Sequence, residues 1–477
     1  MKTLYNAYCD IAQYNNKNIA IIYDDLEYTY EKILYMIENA KIKLSSIGVC
    51  SGDNVIISLE DKLKFIVMLL AVNSIGAVAV PMYPNMGEKK VERILAKITP
   101  KIMLCDRNAI YNCLSKAKRG VIEIEYGKVI YYMNNNYNNM NIDAGIILLT
   151  SGTTGSPKMI AMSNEGMISN IRSTLNYLKF EKNERILHIK QLYHSSSIIS
   201  EALLTLISGK TLVLIKGMVV PSNICSHAEK YKITTIFMTP TMINQLYKYM
   251  EQKKIGFSTV KRINFYGAPI SGRLINKMLK YYKNVDLIYS YGLTEAGPRV
   301  SYANRQDLIE FNNTVGRVLD NVNVYIVKEN GNKCSYNEIG EIVIESPSIM
   351  KGYLCGDRVN RVEDGKIYTG DLGYINEKHY LFITGRKDNL IIIQGKNIYP
   401  EEIEKVITGL AGVDVAQAFL NEKKQLSVKV VCDLKITKRE ITERCKLELE
   451  NYKVPKEIIF DNQISMTDTG KIIRYKE

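Results

Sequence analysis

Short apolar runs rich in β-branched residues recur along the first three hundred positions: NVIISL (54–59), KIMLC (101–105), GIILLT (145–150), TLVLI (211–215), ITTIFM (233–238), KRINFY (261–266) and DLIYSYG (286–292). Helix-like stretches separate them. This alternation predicts parallel sheets covered by helices. After about residue 312 the texture changes to short, turn-bounded strands such as NVYIVKENG and GEIVIES, which predict a smaller antiparallel, β-barrel-like subdomain. The last stretch, IYPEEIEKVITGL, QLSVKVV and KREITERCKLEL, reads helix, strand, helix. The expectation is an α/β protein with a large unit over residues 1–387 and a small α+β unit over 388–477.

One run, FIVMLLAVNSIGAVAVPM (65–82), is uncharged over almost the length of a membrane span. Asn73, Ser74 and Gly76 interrupt it, so the pattern fits a buried helix over 65–74 turning into a buried strand over 77–82. No stable membrane insertion is expected. An apolar content of 46% with 24% charged residues belongs to a soluble globular chain, and the mixed, polar opening is unlike a secretory signal. Nine cysteines without a C-x-x-C pair read as free thiols of a reducing cytoplasm, and the four histidines offer no zinc spacing. The net charge of +13 is diffuse. From Asn389 onward 15 basic face 14 acidic residues, and no lysine stripe emerges upstream. That distribution argues against nucleic acid and for small anionic substrates or an acidic partner protein.

Candidate chemistry begins at LLTSGTTGSPKMI (148–160), a glycine- and hydroxyl-rich loop ending in a lysine. It departs from the G-x-x-x-x-G-K-[ST] phosphate loop because Ser156 and Pro157 separate Gly155 from Lys158. Proline lacks an N–H, so this segment cannot cradle phosphate as an ordinary helix start does. Hydroxyls and glycine-freed N–H groups can still wrap phosphates as a flap, with Lys158 as a point charge.

Six further motifs follow in order: FYGAPI (265–270), YSYGLTEAGP (289–298), GEIVIESPSIMKGYL (340–354), YTGDLG (368–373), GRKDNLIIIQGKNIYPEEIE (385–404) and DTGKIIR (468–474). Together with the loop they resemble the adenylate-forming superfamily of acyl-CoA synthetases, nonribosomal adenylation domains and firefly luciferase. The match spans nearly the whole chain. It implies that a carboxylate attacks the α-phosphate of Mg-ATP, giving an acyl-AMP and pyrophosphate, after which a thiol takes the acyl group. The resemblance assigns Thr150, Ser151, Gly152, Thr153, Thr154, Gly155 and Lys158 to the departing phosphates. It assigns Gly267, Ala268 and Pro269 to the adenine edge, and Tyr291 with Gly292 to its face. Thr294 would meet the α-phosphate or the substrate carboxylate, and Glu295 would hold Mg²⁺. Asp371, assisted by Arg386, would clamp the ribose. Lys471 would stabilise charge between carboxylate and α-phosphate. Asp388 matches a hinge about which the small unit, mobile in the family, turns between the two half-reactions.

The resemblance also bears on the acid. Amino-acid-activating relatives place an aspartate where this chain has His194, in LYHSSS (192–197). His194 resembles fatty-acyl and aryl-CoA ligases instead, and an unpaired ammonium would be costly to bury there. Ser195, Ile198, Asn264, Tyr266 and Ser290 complete the expected acid pocket, which suits a fatty or an aromatic acid. The chain stops at RYKE directly after the lysine motif, so the thiol is expected in trans, on coenzyme A or on the phosphopantetheine of a separate acidic carrier protein. Two departures stand out: Met159 occupies a position that is commonly glycine, and GKN (395–397) replaces a common Gly-Gly-Glu or Gly-x-Arg. A luciferase-like oxygenase and a silent nucleotide-binding relative are the alternatives of another class. The presence of Glu295, Asp371 and Lys471 speaks against silence.

Overall fold

The computed structural model describes residues 2–106, 117–124, 127–134, 137, 142–150, 158–354, 362–393, 396–432, 436–466 and 472–474. All seven apolar runs become strands, divided between two sheets. The first sheet has nine strands, in the order Arg317–Val318, Ser301–Ala303, Asp286–Tyr291, Arg262–Tyr266, Thr235–Met238, Arg185–His188, Thr211–Leu214, Ile19–Tyr23, Leu26–Thr29. From Asp286–Tyr291 across to Ile19–Tyr23 the strands run parallel, and antiparallel strands close both edges. The second sheet has eight strands around a parallel centre of Ile146–Thr150, Val78–Pro81, Asn54–Ser58 and Ile102–Cys105. These centres are buried and mostly apolar, as strands of covered parallel sheets are, with Asn54, His188, Asn264 and Ser290 among the buried polar exceptions.

The ambiguous apolar run resolves as expected. Lys62–Ile75 is a helix started by the Asp61 carboxylate, which accepts from the Lys64 N–H, and ended by Gly76 at φ +80°. Its buried residues run from Lys62 to Asn73, sparing only Lys64, so the helix is apolar all round because it is enclosed. It has 14 residues, and a span needs about 20. Among the described residues no helix is long and apolar enough to cross a membrane. The chain then enters strand Val78–Pro81.

Beyond residue 322 a five-stranded antiparallel sheet forms from Asn323–Val327, Gly340–Glu345, Lys366–Ile375, Val362–Glu363 and Leu381–Arg386. Gly316 joins it to the nine-stranded sheet. Its carbonyl accepts from Leu381 N–H (2.8 Å), and the Leu381 carbonyl accepts from Val315 N–H (3.0 Å) and the Thr314 hydroxyl (2.8 Å). The small C-terminal unit follows, with strands Val413–Leu420, Leu426–Cys432 and Glu457–Phe460 under helices Pro400–Thr408 and Lys438–Glu448. It has its own core, including Ile398, Ile403, Ile407, Val428, Val430, Ile441 and Ile458. Lys248 to Asp414 (2.8 Å) and Arg273 to the Gly409 carbonyl (3.4 Å) are among its links to the large unit. Cys9, Cys50, Cys105, Cys225, Cys334, Cys432 and Cys445 are free thiols.

Gly316 has φ +84°, and a Cβ there would stand 1.8 Å from the Tyr302 carbonyl oxygen. Both the backbone region and the contact exclude a side chain. Gly316→Ala is expected to destabilise the large unit by at least about 2 kcal/mol, seen as a lower midpoint in thermal or urea denaturation. A midpoint equal to the parent's would show that the junction tolerates a side chain.

Candidate active site

The parallel strands of the nine-stranded sheet end at the motifs read from the sequence, the position at which open α/β sheets bind ligands. Arg262–Tyr266 runs directly into Gly267, at φ +99° with open space above its Cα. The Ala268 carbonyl accepts from the Tyr289 hydroxyl (3.1 Å), which holds the expected adenine-edge segment Gly267–Ala268–Pro269 on the next strand. That strand, Asp286–Tyr291, delivers Tyr291 at its last position. Gly292 is required there, since a Cβ would meet the Pro298 carbonyl oxygen at 2.1 Å.

The Tyr291 hydroxyl donates to one oxygen of Asp371 (2.6 Å), and the Arg386 guanidinium donates to the other. Asp371 and Arg386 face each other across Lys366–Ile375 and Leu381–Arg386. Asp371 thus sits inside a ten-residue strand. Burial, reinforced by the adjacent Asp371 charge, pushes the Tyr291 phenol well above its ordinary value, so Tyr291 stays a donor. Arg386 also reaches Asp388 (3.5 Å), which lies half-exposed in the turn Lys387–Asn389.

A second group forms around the phosphate loop. Thr150 and Lys158 are Cα partners closing the hairpin of Ile146–Thr150 and Lys158–Met162. Lys158 Nζ lies 5.2 Å from the Tyr353 ring centre, and the Tyr353 hydroxyl donates to Glu295 (3.0 Å). Lys158, Tyr353 and Glu295 are therefore neighbours, which places a carboxylate beside the loop lysine. One hard oxygen donor next to bound phosphates is what Mg²⁺ usually takes from a protein. Glu295 fits that ion, which would supply charge neutralisation on the phosphates. Met159 is buried and paired with Leu354, so the position calls for an apolar strand residue and glycine is not needed. Ser151, Gly152, Thr153, Thr154, Gly155 and Lys471 lie outside the described residues, as does Gly395 of the GKN departure. Just past the lysine, Arg474 is held by both Glu404 oxygens (2.7 Å each).

The acid-pocket candidates fall into two groups. Ser195 and Thr294 share a hydrogen bond (2.8 Å), joining the segment after His194 to the nucleotide motif. His194 precedes the turn, its ring 4.3 Å from that of Tyr193. Ile198 begins a π-helical stretch, Ile198–Leu203, a distortion frequent at functional sites. Asn264, Tyr266 and Ser290 are buried on adjacent strands. Ser290 donates to Asn264 (3.2 Å), and Asn264 donates to the Tyr177 hydroxyl (3.1 Å).

Sequence reasoning missed a buried charged cluster behind this wall. Lys190 Nζ and the Arg299 guanidinium lie 3.7 and 3.4 Å from the Tyr266 ring centre. The Tyr266 hydroxyl donates to Glu201, which pairs with Lys190 (2.5 Å). Burial pushes Lys190 down to about 8, with Glu201 opposing the shift, and burial raises the Glu201 carboxyl. Lys62 is likewise pushed down to about 8 by burial. His188, fully buried and with cations near it, falls well below its ordinary value and is neutral against Ser197 (2.8 Å).

Asp371→Ala is expected to raise the KM for ATP, each lost charge-assisted hydrogen bond to a ribose hydroxyl being worth on the order of 1.5–3 kcal/mol. Calorimetric titration with AMP checks it apart from turnover. Unaltered nucleotide affinity would remove Asp371 from the site.

A family model described as AMP-binding enzyme matches residues 10–354. The chain is 26% identical to the 2-succinylbenzoate–CoA ligase of Bacillus licheniformis, over 98% of this chain and 97% of that one. It is 25% identical to a long-chain-fatty-acid–CoA ligase of Mycobacterium tuberculosis, over 94% and 92%. Among solved structures, the o-succinylbenzoate CoA synthetase of Bacillus subtilis, in complex with its acyl-adenylate intermediate, superposes with a TM-score of 0.83 at 24% identity, covering 98% of this chain and 97% of that one. The superposition shows that this chain shares the fold of that synthetase over nearly the whole length of both. The chain belongs to the family of AMP-binding enzymes.

Proposed function

We propose that this protein is an AMP-forming acid–thiol ligase: it activates a carboxylic acid as an acyl-adenylate with release of pyrophosphate, then passes the acyl group to the thiol of coenzyme A. The observation that carries the reading is the convergence of three residue groups, drawn from three sheets, on the short segment 291–295 that ends strand Asp286–Tyr291: Asp371 and Arg386 at Tyr291; Lys158 and Tyr353 at Glu295; and Ser195 at Thr294. The first suits a ribose with an adenine above it, the second a polyphosphate with its metal, and the third the point where carboxylate meets α-phosphate. Curated relatives named as CoA ligases support the acceptor.

In this reading the Thr294 hydroxyl, oriented by Ser195, holds the attacking carboxylate or the α-phosphate. Lys158 and the loop at 151–157 hold the leaving pyrophosphate. Lys471 neutralises charge that grows between carboxylate and phosphorus. The buried cations around Glu201 disfavour an ammonium group in the pocket, which agrees with His194 standing where an amino-acid-activating enzyme needs a carboxylate. Fatty and aromatic acids remain the substrate class. The diffuse positive charge also suits an acidic carrier protein bearing phosphopantetheine as the acceptor. The free thiols suit the cytoplasm as the compartment.

We place the division between units at residues 387 and 388, with Asp388 as the hinge. The separate core of the C-terminal unit supports this, as does Asp388 standing in an exposed turn. Docking of the small unit in two orientations would bring Lys471 in for adenylation and then free the thiol path.

ATP–pyrophosphate exchange with a panel of acids tests the activity. Exchange is expected with fatty or aromatic acids and absent with α-amino acids, and exchange with a proteinogenic amino acid alone would overturn the substrate class. A pair of variants tests the division of labour. Lys471→Ala is expected to lose roughly 10² to 10³ in adenylation rate while still transferring acyl from supplied acyl-AMP. Asp388→Pro, which fixes φ near −65°, is expected to form acyl-AMP and fail to pass it on. Equal loss of both steps in both variants would contradict two docking states.

A further inference from the structure

Three residues assigned to the acid, Tyr266, Ser290 and Asn264, are only 5%, 1% and 0% exposed. Tyr266 and Ser290 form a row with Tyr302 across three adjacent strands, in that order. Each position of the row is covered. The Arg299 guanidinium stacks 3.4 Å from the centre of the Tyr266 ring, and the Tyr177 hydroxyl lies 3.4 Å from that of Ser290. The Tyr177 ring stacks on Tyr302, with centres 4.1 Å apart and planes 12° from parallel. Ser290 donates to the Asn264 carbonyl oxygen (3.2 Å), and Asn264 donates to the Tyr177 oxygen (3.1 Å). A Tyr177 hydroxyl that donates to Ser290 closes the cycle.

The cycle occupies both hydroxyl protons, and the Tyr266 hydroxyl is taken by Glu201. The polar tips therefore satisfy one another, and such closed networks hold their members in one arrangement. Tyr177 belongs to helix Asn164–Leu178, which is pinned over the two turns before it. Asn170 donates to the Arg299 carbonyl (2.8 Å), Ser173 to the Asp320 carbonyl (2.7 Å) and Asn176 to the Asp320 carboxylate (2.8 Å). Asn170, Ser173 and Tyr177 share one face at helical spacing, so the helix cannot carry the ring away without breaking those bonds. A closely packed interior does not take added methylenes unless its walls move.

Resting on the acid-activating function proposed above, we infer that Tyr177 is a specificity-determining residue: it closes the far end of the acid pocket and sets the longest acid that the enzyme activates. The reacting carboxylate belongs at Ser195 and Thr294, and the cycle of Tyr177, Asn264 and Ser290 is the floor beneath it. Ser290 stands four residues before Thr294, so their main chains lie at most about 14 Å apart. An extended hexadecanoic acid is longer than that. To admit it, Tyr177 would have to leave Asn264 and Ser290 buried against methylene groups without a partner, which opposes the gain from apolar burial. Tyr302 fixes the plane of the Tyr177 ring by stacking, which makes it a positioning residue.

Initial rates of pyrophosphate release with ATP and Mg²⁺ test this on the full chain. The acids form two series of increasing length: straight-chain acids from butanoic to hexadecanoic, and ω-phenylalkanoic acids from phenylacetic to phenyldecanoic. In the parent, kcat/KM is expected to fall by roughly tenfold or more between the preferred and the longest acid of a series, mostly through KM. In Tyr177→Ala the ratio of long to short acid is expected to rise by roughly tenfold or more, again through KM. Tyr177→Phe should keep the parent's ceiling, since the ring still fills the space. A parent that takes the longest acids as well as the short ones would overturn the inference while leaving the acid-activating function intact. An equal loss for every acid in Tyr177→Ala would also overturn it, since Tyr177 would then serve only the fold. Absence of pyrophosphate release with every acid would remove the underlying function and this inference together. Should Tyr177→Ala fail to fold, Tyr177→Leu carries the same expectation at smaller size, and should neither fold, the parent's profile decides.

Discussion

A single carboxylate, that of Asp371, accepts from Tyr291 at the end of the nine-stranded sheet and from Arg386 on the neighbouring strand of the five-stranded sheet. Two separately built sheets and the approach to the C-terminal unit are thereby tied to one anion. A buried carboxylate is tolerated only with such partners, so each donor position is constrained by the others. The geometry depends on close strand approach. A Cβ on Gly373 would meet the Phe382 carbonyl oxygen at 2.1 Å, and the pairing shifts register between Leu372 and Gly373, which sets Asp371 opposite Arg386. From Arg386 the contact to Asp388 carries the constraint to the turn before the small unit.

The architecture was legible wherever the local pattern and the tertiary environment agree. Strands at the centre of parallel sheets are apolar on both faces, so NVIISL, ITTIFM and DLIYSYG announce themselves without knowledge of their neighbours. The run at 65–82 was resolved by Gly76, whose left-handed conformation ends the helix. Nucleotide-site positions were legible for a related reason: backbone requirements at Gly267 and Gly292, and charges such as Asp371 and Arg386, fall in fixed order along the chain.

Other features were hidden because their meaning depends on what packs against them. Lys190, Glu201 and Arg299 are ordinary surface residues by type, and only the fold encloses them around Tyr266. Tyr353 lies in the motif GEIVIESPSIMKGYL, but its role emerges when its strand pairs with Lys158–Met162 and brings the ring between Lys158 and Glu295. Strand Val413–Leu420 was not read from VDVAQAFL, where alanines and single polar residues weaken the alternation that its partner Leu426–Cys432 displays. Met159 illustrates the reverse: a departure from the family pattern that proves to be a core residue of the second sheet.

If the acid's own carboxylate attacks the α-phosphate, the fate of its oxygens shows it. An acid carrying heavy oxygen in the carboxylate is turned over with ATP, Mg²⁺ and coenzyme A, and the nucleotide and phosphate products are analysed by mass spectrometry. Attack on the α-phosphate followed by thiol transfer leaves one labelled oxygen in AMP and none in pyrophosphate. Label in inorganic phosphate with ADP as the nucleotide product, or AMP free of label, would rule out attack of the carboxylate on the α-phosphate.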